Sequence, residues 1–174
     1  MTARRYNVLF LCNGNSARSI IAEALLRKLG AGRFDAWSAG AAPRGHIHPL
    51  AATLLNSEGL LDPTLRSKSW QEFTGADAPE FDFVFTLCDQ TAGEACPEWR
   101  GMPVTSHWGI PDPGAATGTE AERMLAFRET LRMLNQWLRI FVALPIGALD
   151  RMSLQRRVDA IGRLRPDAVE ESAS

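Results

Sequence analysis

The chain is poor in the residues that would make a disulfide scaffold. Its 174 residues include only three cysteines, Cys12, Cys88 and Cys96, an odd number that excludes a framework of paired bridges. No run of about 18 apolar residues occurs, so no membrane-spanning helix is expected. Charge of one sign is also lacking: 19 Lys and Arg face 20 Asp and Glu, for a formal net charge of −1. Neither a nucleic acid nor an anionic membrane is therefore expected as the main partner. The opening stretch MTARRYNVLFLC has too short an apolar part, and no small-residue cleavage site, to read as a secretory signal; a cytoplasmic location is expected. The cysteine spacing, with no histidine nearby, does not complete a tetrahedral metal site, so no metal is expected. Tyr6 is the single tyrosine, and no internal repeat or low-complexity segment is present.

What is there alternates between strand and helix. YNVLFLC (6–12) is an almost continuous apolar run, as in a parallel strand buried on both faces. RSIIAEALLRKL (18–29) places Ile21, Leu25 and Leu29 on one helical face and stops at Gly30. FDAWSAG (34–40) predicts a second strand. Residues 48–60 predict a helix with Pro49 in its first turn, and 66–73 a polar helical turn. FDFVFTLC (81–88) and MPVTSHW (102–108) predict two more strands. Thr119 and Glu122 form a capping box before a long helix whose apolar face is Met124, Phe127, Leu131, Leu134, Leu138 and Phe141, with Pro145 beyond it. A last helix is expected over 153–164, before a polar tail. This order predicts an α/β fold with a parallel sheet and right-handed crossovers. Its ligands should sit beyond the carboxyl ends of the strands.

Two of the four strand ends carry a cysteine. After Cys12, the loop Asn13, Gly14, Asn15, Ser16 and Ala17 leads to Arg18 and Ser19 at a helix start. Backbone N–H groups in such a loop form an anion nest, and the helix dipole favours the same negative charge. Gly14, Ser16 and Ala17 are small enough for close approach. Asn15 tolerates left-handed backbone and can pin a loop through its side chain. Arg18 offers a planar fork of donors matched to two oxygens of a tetrahedral anion. Ser19 can donate to the Cys12 sulfur. All of this favours a thiolate nucleophile facing an oxyanion such as phosphate or arsenate. Asp112, in the turn PDPG (111–114), could supply a proton to a displaced oxygen, although Asp-Pro alone signals only a turn. Cys88 and Cys96 are either inert core thiols or members of a redox relay. Arg66, Ser67 and Lys68 form a basic turn that flanks the site or is simply solvated. His46, His48 and His107 are read as non-catalytic.

The stretch LFLCNGNSARSIIAEALL, together with WSAG (37–40), resembles the signature of the low-molecular-weight protein tyrosine phosphatase superfamily, which includes one lineage of arsenate reductases. The resemblance extends to about residue 143. It implies a four-stranded parallel sheet of order 2-1-3-4 with helices on both faces. The phosphatase-like domain would span 1–145, with a helical extension and tail over 146–174. It makes Asp112 the general acid and Asn15, Glu23 and Ser38 the bracing of the loop, in some reductases around a monovalent cation. HWGIPDP (107–113) is similar to the reductase branch. Gly114, Ala115 and Ala116 stand where phosphatases usually carry aromatic residues. Arsenate reduction by a Cys12–Cys88–Cys96 relay is the implied activity, with no bound cofactor and a thioredoxin-type reductant as electron donor. Phosphotyrosine phosphatase activity is the alternative, and a non-enzymatic oxyanion-binding regulator a third possibility. Many thioredoxin-linked members have a further cysteine where this chain has Ala17, which leaves a low-molecular-weight thiol open as the donor.

Overall fold

A computed structural model describes residues 4–88 and 97–165. The elements run β1 (Tyr6–Leu11), α1 (Arg18–Leu29), β2 (Phe34–Ala39), α2 (Pro49–Ser57), β3 (Phe83–Thr86), β4 (Val104–His107), α3 (Glu120–Val142) and α4 (Arg151–Ile161). Short 3₁₀ turns occupy Trp70–Phe73, Pro113–Ala115 and Ile146–Ala148. The four strands pair in parallel in the order β2-β1-β3-β4, the order expected from the sequence.

The alternation along β1 feeds two cores. Val8 and Phe10 join the larger one, together with Phe83 and Phe85 of β3. Leu9 and Leu11 turn to the other face, where they meet Val84, Trp70, Phe73 and Phe81. All four described α-helices pack on the larger core, through residues such as Ile20, Leu54, Leu134 and Val158. The 3₁₀ turn at Trp70–Phe73 covers the second face. Each fully buried Leu or Phe contributes roughly 1.5–3 kcal/mol of apolar burial, so the two-sided sheet is the main source of stability. None of the described helices is long and apolar enough to cross a membrane.

Helix ends follow local chemistry. Thr119 and Glu122 close the capping box of α3. His48 caps α2 through Nδ1, which accepts from Leu50 N at 3.1 Å. The expected polar helical turn over 66–73 is shorter than predicted. Its 3₁₀ part begins only at Trp70, because Ser69 forms a parallel bridge to Gly40 and Gly40 N donates to Lys68 O. Helix α4 begins at Arg151, two residues before its expected start, since Asp150 accepts from Ser153 N at 2.7 Å and sets the cap. It lies against β4: Trp108 Nε1 donates to Val158 O, and Ser106 Oγ to Asp159 Oδ1.

The strand register sets up the site. Leu11 lies level with Ala39 and Thr86, and Thr86 with His107. The chain thus leaves all four strands at one edge, where the next residues are Cys12, Gly40, Leu87-Cys88 and the segment Trp108–Asp112.

Thr119→Ala removes a cap whose side chain and backbone both bond to Glu122. It should cost about 1 kcal/mol. Urea unfolding should show a lowered midpoint with an unchanged slope.

Candidate active site

Cys12 continues the β1 ladder by donating its N–H to Ala39 O at 3.2 Å. The loop after it is held by its carbonyls. Ala42 N donates to Asn13 O, Arg44 N to Gly14 O and His48 N to Ser16 O, each at 2.9 Å. In a trans peptide the N–H of the next residue points away from the carbonyl. Tying these carbonyls to 42–48 therefore turns the N–H groups of Gly14, Asn15 and Ala17 to the opposite side. Gly14 N–H reaches the Cys12 sulfur.

Asn15 carries the bend. Its φ is +42°, in the left-handed region that Asn tolerates better than most residues, and it is fully buried. Its Oδ1 accepts from Lys68 N at 2.8 Å. Its Nδ2 donates to Ser19 Oγ at 2.8 Å and to Ser38 Oγ at 3.0 Å. Ser19 thus takes part in bracing the loop, a contact the sequence did not suggest. Ser38 Oγ in turn donates to Glu23 Oε1 at 2.5 Å. Gly40, the last residue of WSAG, allows this close approach: a Cβ there would lie 2.5 Å from Asn13 O and 2.7 Å from Cys12 O.

Cys88 sits two residues beyond β3, and its Sγ accepts from Asn13 N at 3.2 Å. It is also hydrogen-bonded to the Cys12 thiol. Both cysteines are buried and reduced. The order of the strands puts both cysteines on one sheet edge, and in the structure they touch. That contact reverses the expectation of a stabilised Cys12 thiolate. The bond to Cys88 pushes the Cys12 thiol well above its ordinary value, and burial adds to this. Arg18 and the Gly14 N–H pull the other way and are outweighed. Cys96 lies outside the described residues.

Arg18 opens α1 and is mostly buried. Its Nη1 donates to Ile110 O at 3.0 Å, and its Nη2 lies 4.0 Å from Asp112 Oδ2. The oxyanion loop and the acid loop are therefore linked by one guanidinium. Asp112 is half exposed, and its Oδ1 caps the 3₁₀ turn by accepting from Gly114 N at 2.9 Å. Its loop is anchored to the neighbouring strand through Ile110 N, which donates to Leu87 O at 3.0 Å.

Of the two readings of the basic turn 66–68, the structure supports the flanking one for Lys68, and it adds Arg44, which the sequence did not single out. Lys68 is not a solvated residue of a basic turn: its side chain is 5% exposed and its Nζ lies 3.7 Å from Glu23 Oε1 and 3.5 Å from Ser38 Oγ. Arg44 lies over the loop, where its Nε would be 3.0 Å from a Cβ on Gly14. Arg44 and Arg123 also act on His48, whose proton affinity is lowered first by burial and then by these two cations, against Asp112. No residue pattern in RSKSW or APRGH distinguishes these cations from surface ones, since their placement follows from pairing with residues far away in the chain. Among the described residues no group of His, Cys, Asp and Glu could hold a metal ion.

Two outcomes follow from this geometry. Cys88→Ala removes the largest cause of the raised Cys12 thiol, so the pH midpoint of Cys12 alkylation should fall by about one unit or more; an unchanged midpoint contradicts the assignment. Gly40→Ala forces the backbone at Cys12 and Asn13 to move, with a cost of roughly 1–3 kcal/mol as for other overpacked sites. Calorimetry should show a lowered Tm, and phosphate should protect Cys12 from alkylation far less than in the parent chain.

Comparison with known proteins agrees with this architecture. A model of the family described as low molecular weight phosphotyrosine protein phosphatase matches residues 7–156. An arsenate reductase of Oceanobacillus iheyensis is 30% identical over 134 residues, which are 77% of this chain and 93% of that protein. An arsenate reductase of Halalkalibacterium halodurans is 29% identical over the same shares. Among solved structures, the arsenate reductase of Archaeoglobus fulgidus superposes with a TM-score of 0.62 at 26% identity, covering 79% of this chain and 99% of that one. An arsenate reductase in a phosphate-binding state gives 0.64 at 25% identity, covering 79% and 97%. The match over most of its length makes this chain a member of the low-molecular-weight phosphotyrosine protein phosphatase family.

Proposed function

We propose that the chain reduces arsenate to arsenite with the thiols of Cys12, Cys88 and Cys96. The observation that carries this reading is the reduced Cys88 sulfur in contact with Cys12 and hydrogen-bonded to Asn13 N. A phosphatase of this family needs a nucleophile, an arginine and an acid. None of these three roles calls for a second thiol against the nucleophile. The resemblance of the chain to arsenate reductases from several bacteria supports the same choice.

The chemistry is balanced by two thiols. The N–H groups of residues 15–17 and the Arg18 fork hold the arsenate oxygens, while those of Asn13 and Gly14 face the Cys88 and Cys12 sulfurs at rest and Ser19 and Asn15 brace the loop. An incoming dianion competes with Cys88 for the Cys12 proton, and the guanidinium turns from Ile110 O towards the oxyanion. Cys12 sulfur attacks arsenic and one oxygen leaves as water, protonated by Asp112. Cys88 gives its proton to an arsenic-bound oxygen and, as the thiolate, attacks the Cys12 sulfur. The Cys12–arsenic bond breaks, its electron pair stays on arsenic, and arsenite departs from a Cys12–Cys88 disulfide. Cys96 thiolate attacks Cys88 and releases Cys12 by ordinary thiol–disulfide exchange. An external thiol reduces the resulting Cys88–Cys96 disulfide. A thioredoxin-type dithiol is the donor we favour, and a low-molecular-weight thiol is the second candidate. A relative in Synechocystis, 28% identical over 61% of this chain, is named glutaredoxin arsenate reductase, which keeps a glutathione-linked donor in view.

Arsenate-dependent NADPH oxidation in a thioredoxin-coupled assay tests the reading. The parent chain should turn over. Cys12→Ser, Cys88→Ser and Cys96→Ser should each lose turnover by at least about a hundredfold. The Cys88 and Cys96 variants should keep whatever aryl phosphate hydrolysis the parent shows. Full phosphatase activity in the parent chain without arsenate turnover, with either donor class, overturns the proposal in favour of the phosphatase reading.

A further inference from the structure

The oxyanion loop rests on a buried ion pair that the proposed chemistry does not use. Glu23, on the first turns of α1, is 1% exposed, and Lys68 is 5% exposed. Their charged atoms lie 3.7 Å apart. The Lys68 ammonium also donates to Arg66 O at 3.0 Å and reaches Ser38 Oγ at 3.5 Å. The same Ser38 Oγ bonds Glu23 and the Asn15 amide, and Lys68 N bonds Asn15 Oδ1. Lys68 therefore meets the support beneath the left-handed Asn15 at three points: its backbone N–H at Asn15, and its ammonium at Ser38 and Glu23. Arg27 also pairs with Glu23, at 2.5 Å, but it is one-third exposed and so is screened more strongly.

We propose that Lys68 is a positioning residue whose fixed positive charge neutralises the buried Glu23 carboxylate and so allows the loop above it to accept a doubly negative oxyanion. The physical reason is simple. A carboxylate buried under an anion site repels its ligand through a medium of low dielectric. It is costly unless it is paired and hydrogen-bonded. Lys68 supplies the pairing from within the chain, in the place where the resemblance left open a bound monovalent cation. Burial lowers the proton affinity of Lys68, and the Glu23 charge opposes that shift.

This inference deepens the reading of the loop as an oxyanion site, and its test uses phosphate binding, which does not depend on arsenate turnover. Phosphate affinity is measured by protection of Cys12 from alkylation. The set comprises the parent chain, Lys68→Arg, Lys68→Met, Lys68→Ala and Glu23→Gln/Lys68→Met. Lys68→Met should weaken phosphate binding on the order of tenfold, and Lys68→Arg should keep most of it. Ammonium chloride should restore binding to Lys68→Ala, while equal tetramethylammonium chloride, too large for the vacated space, should not. If Lys68→Met does not fold, the double variant decides. Having neither charge to bury, it should fold and bind phosphate within about threefold of the parent. Parent-like binding by folded Lys68→Met, equal effects of the two salts, or a folded double variant that does not bind phosphate would each overturn the proposal. A parent chain that binds phosphate but turns over no arsenate leaves this inference standing and removes only the reductase reading.

Discussion

The site depends on one buried amide. Asn15 bends the chain into a left-handed turn and satisfies itself with three partners from three other segments: Ser19 on α1, Ser38 on β2 and the backbone of Lys68. A residue with φ of +42° persists only where its surroundings over-determine it. Here they do, because the register of β1 with β2 brings Ser38 and Gly40 level with Phe10 and Cys12. The N–H groups of Gly14, Asn15 and Ala17 turn to the side opposite the carbonyls that 42–48 hold. An anion site is thus made from backbone whose geometry is set by the sheet.

The second constraint is a contact between thiols. A loop that ends in a strongly activated nucleophile would suit phosphoryl transfer. In this chain the nucleophile rests against Cys88, and the pair holds its proton. In the proposed mechanism, activation belongs to the substrate-bound state, when the incoming anion and Arg18 change the field around the sulfur. The same contact sets a second thiol against the first, as the proposed relay requires. Arg18 bridges the two halves of this device, since its contacts reach both Ile110 and Asp112.

Much of this was legible in the sequence, for physical reasons. Short apolar runs point to the strands, and caps such as Thr119–Glu122 to the helix starts. The loop from Cys12 to Ser19 could be read because small residues, an asparagine and an arginine after a strand have few other uses together. What was not legible were the contacts between distant segments. Lys68 looks like any surface lysine until Ser69 pairs with Gly40 and carries it under the loop. The direction of the Cys12 shift is hidden from the sequence for the same reason: the local features around Cys12 favour a thiolate, and the residue that reverses them, Cys88, lies far along the chain.

The most direct test of the central claim is a single turnover without any external reductant. The Cys96→Ser variant, fully reduced, is mixed with excess arsenate, and the products are separated for arsenite assay and disulfide mapping. The account predicts one arsenite per chain and a disulfide joining Cys12 to Cys88. Free thiols at both positions and no arsenite, from a protein that still hydrolyses an aryl phosphate, would contradict it.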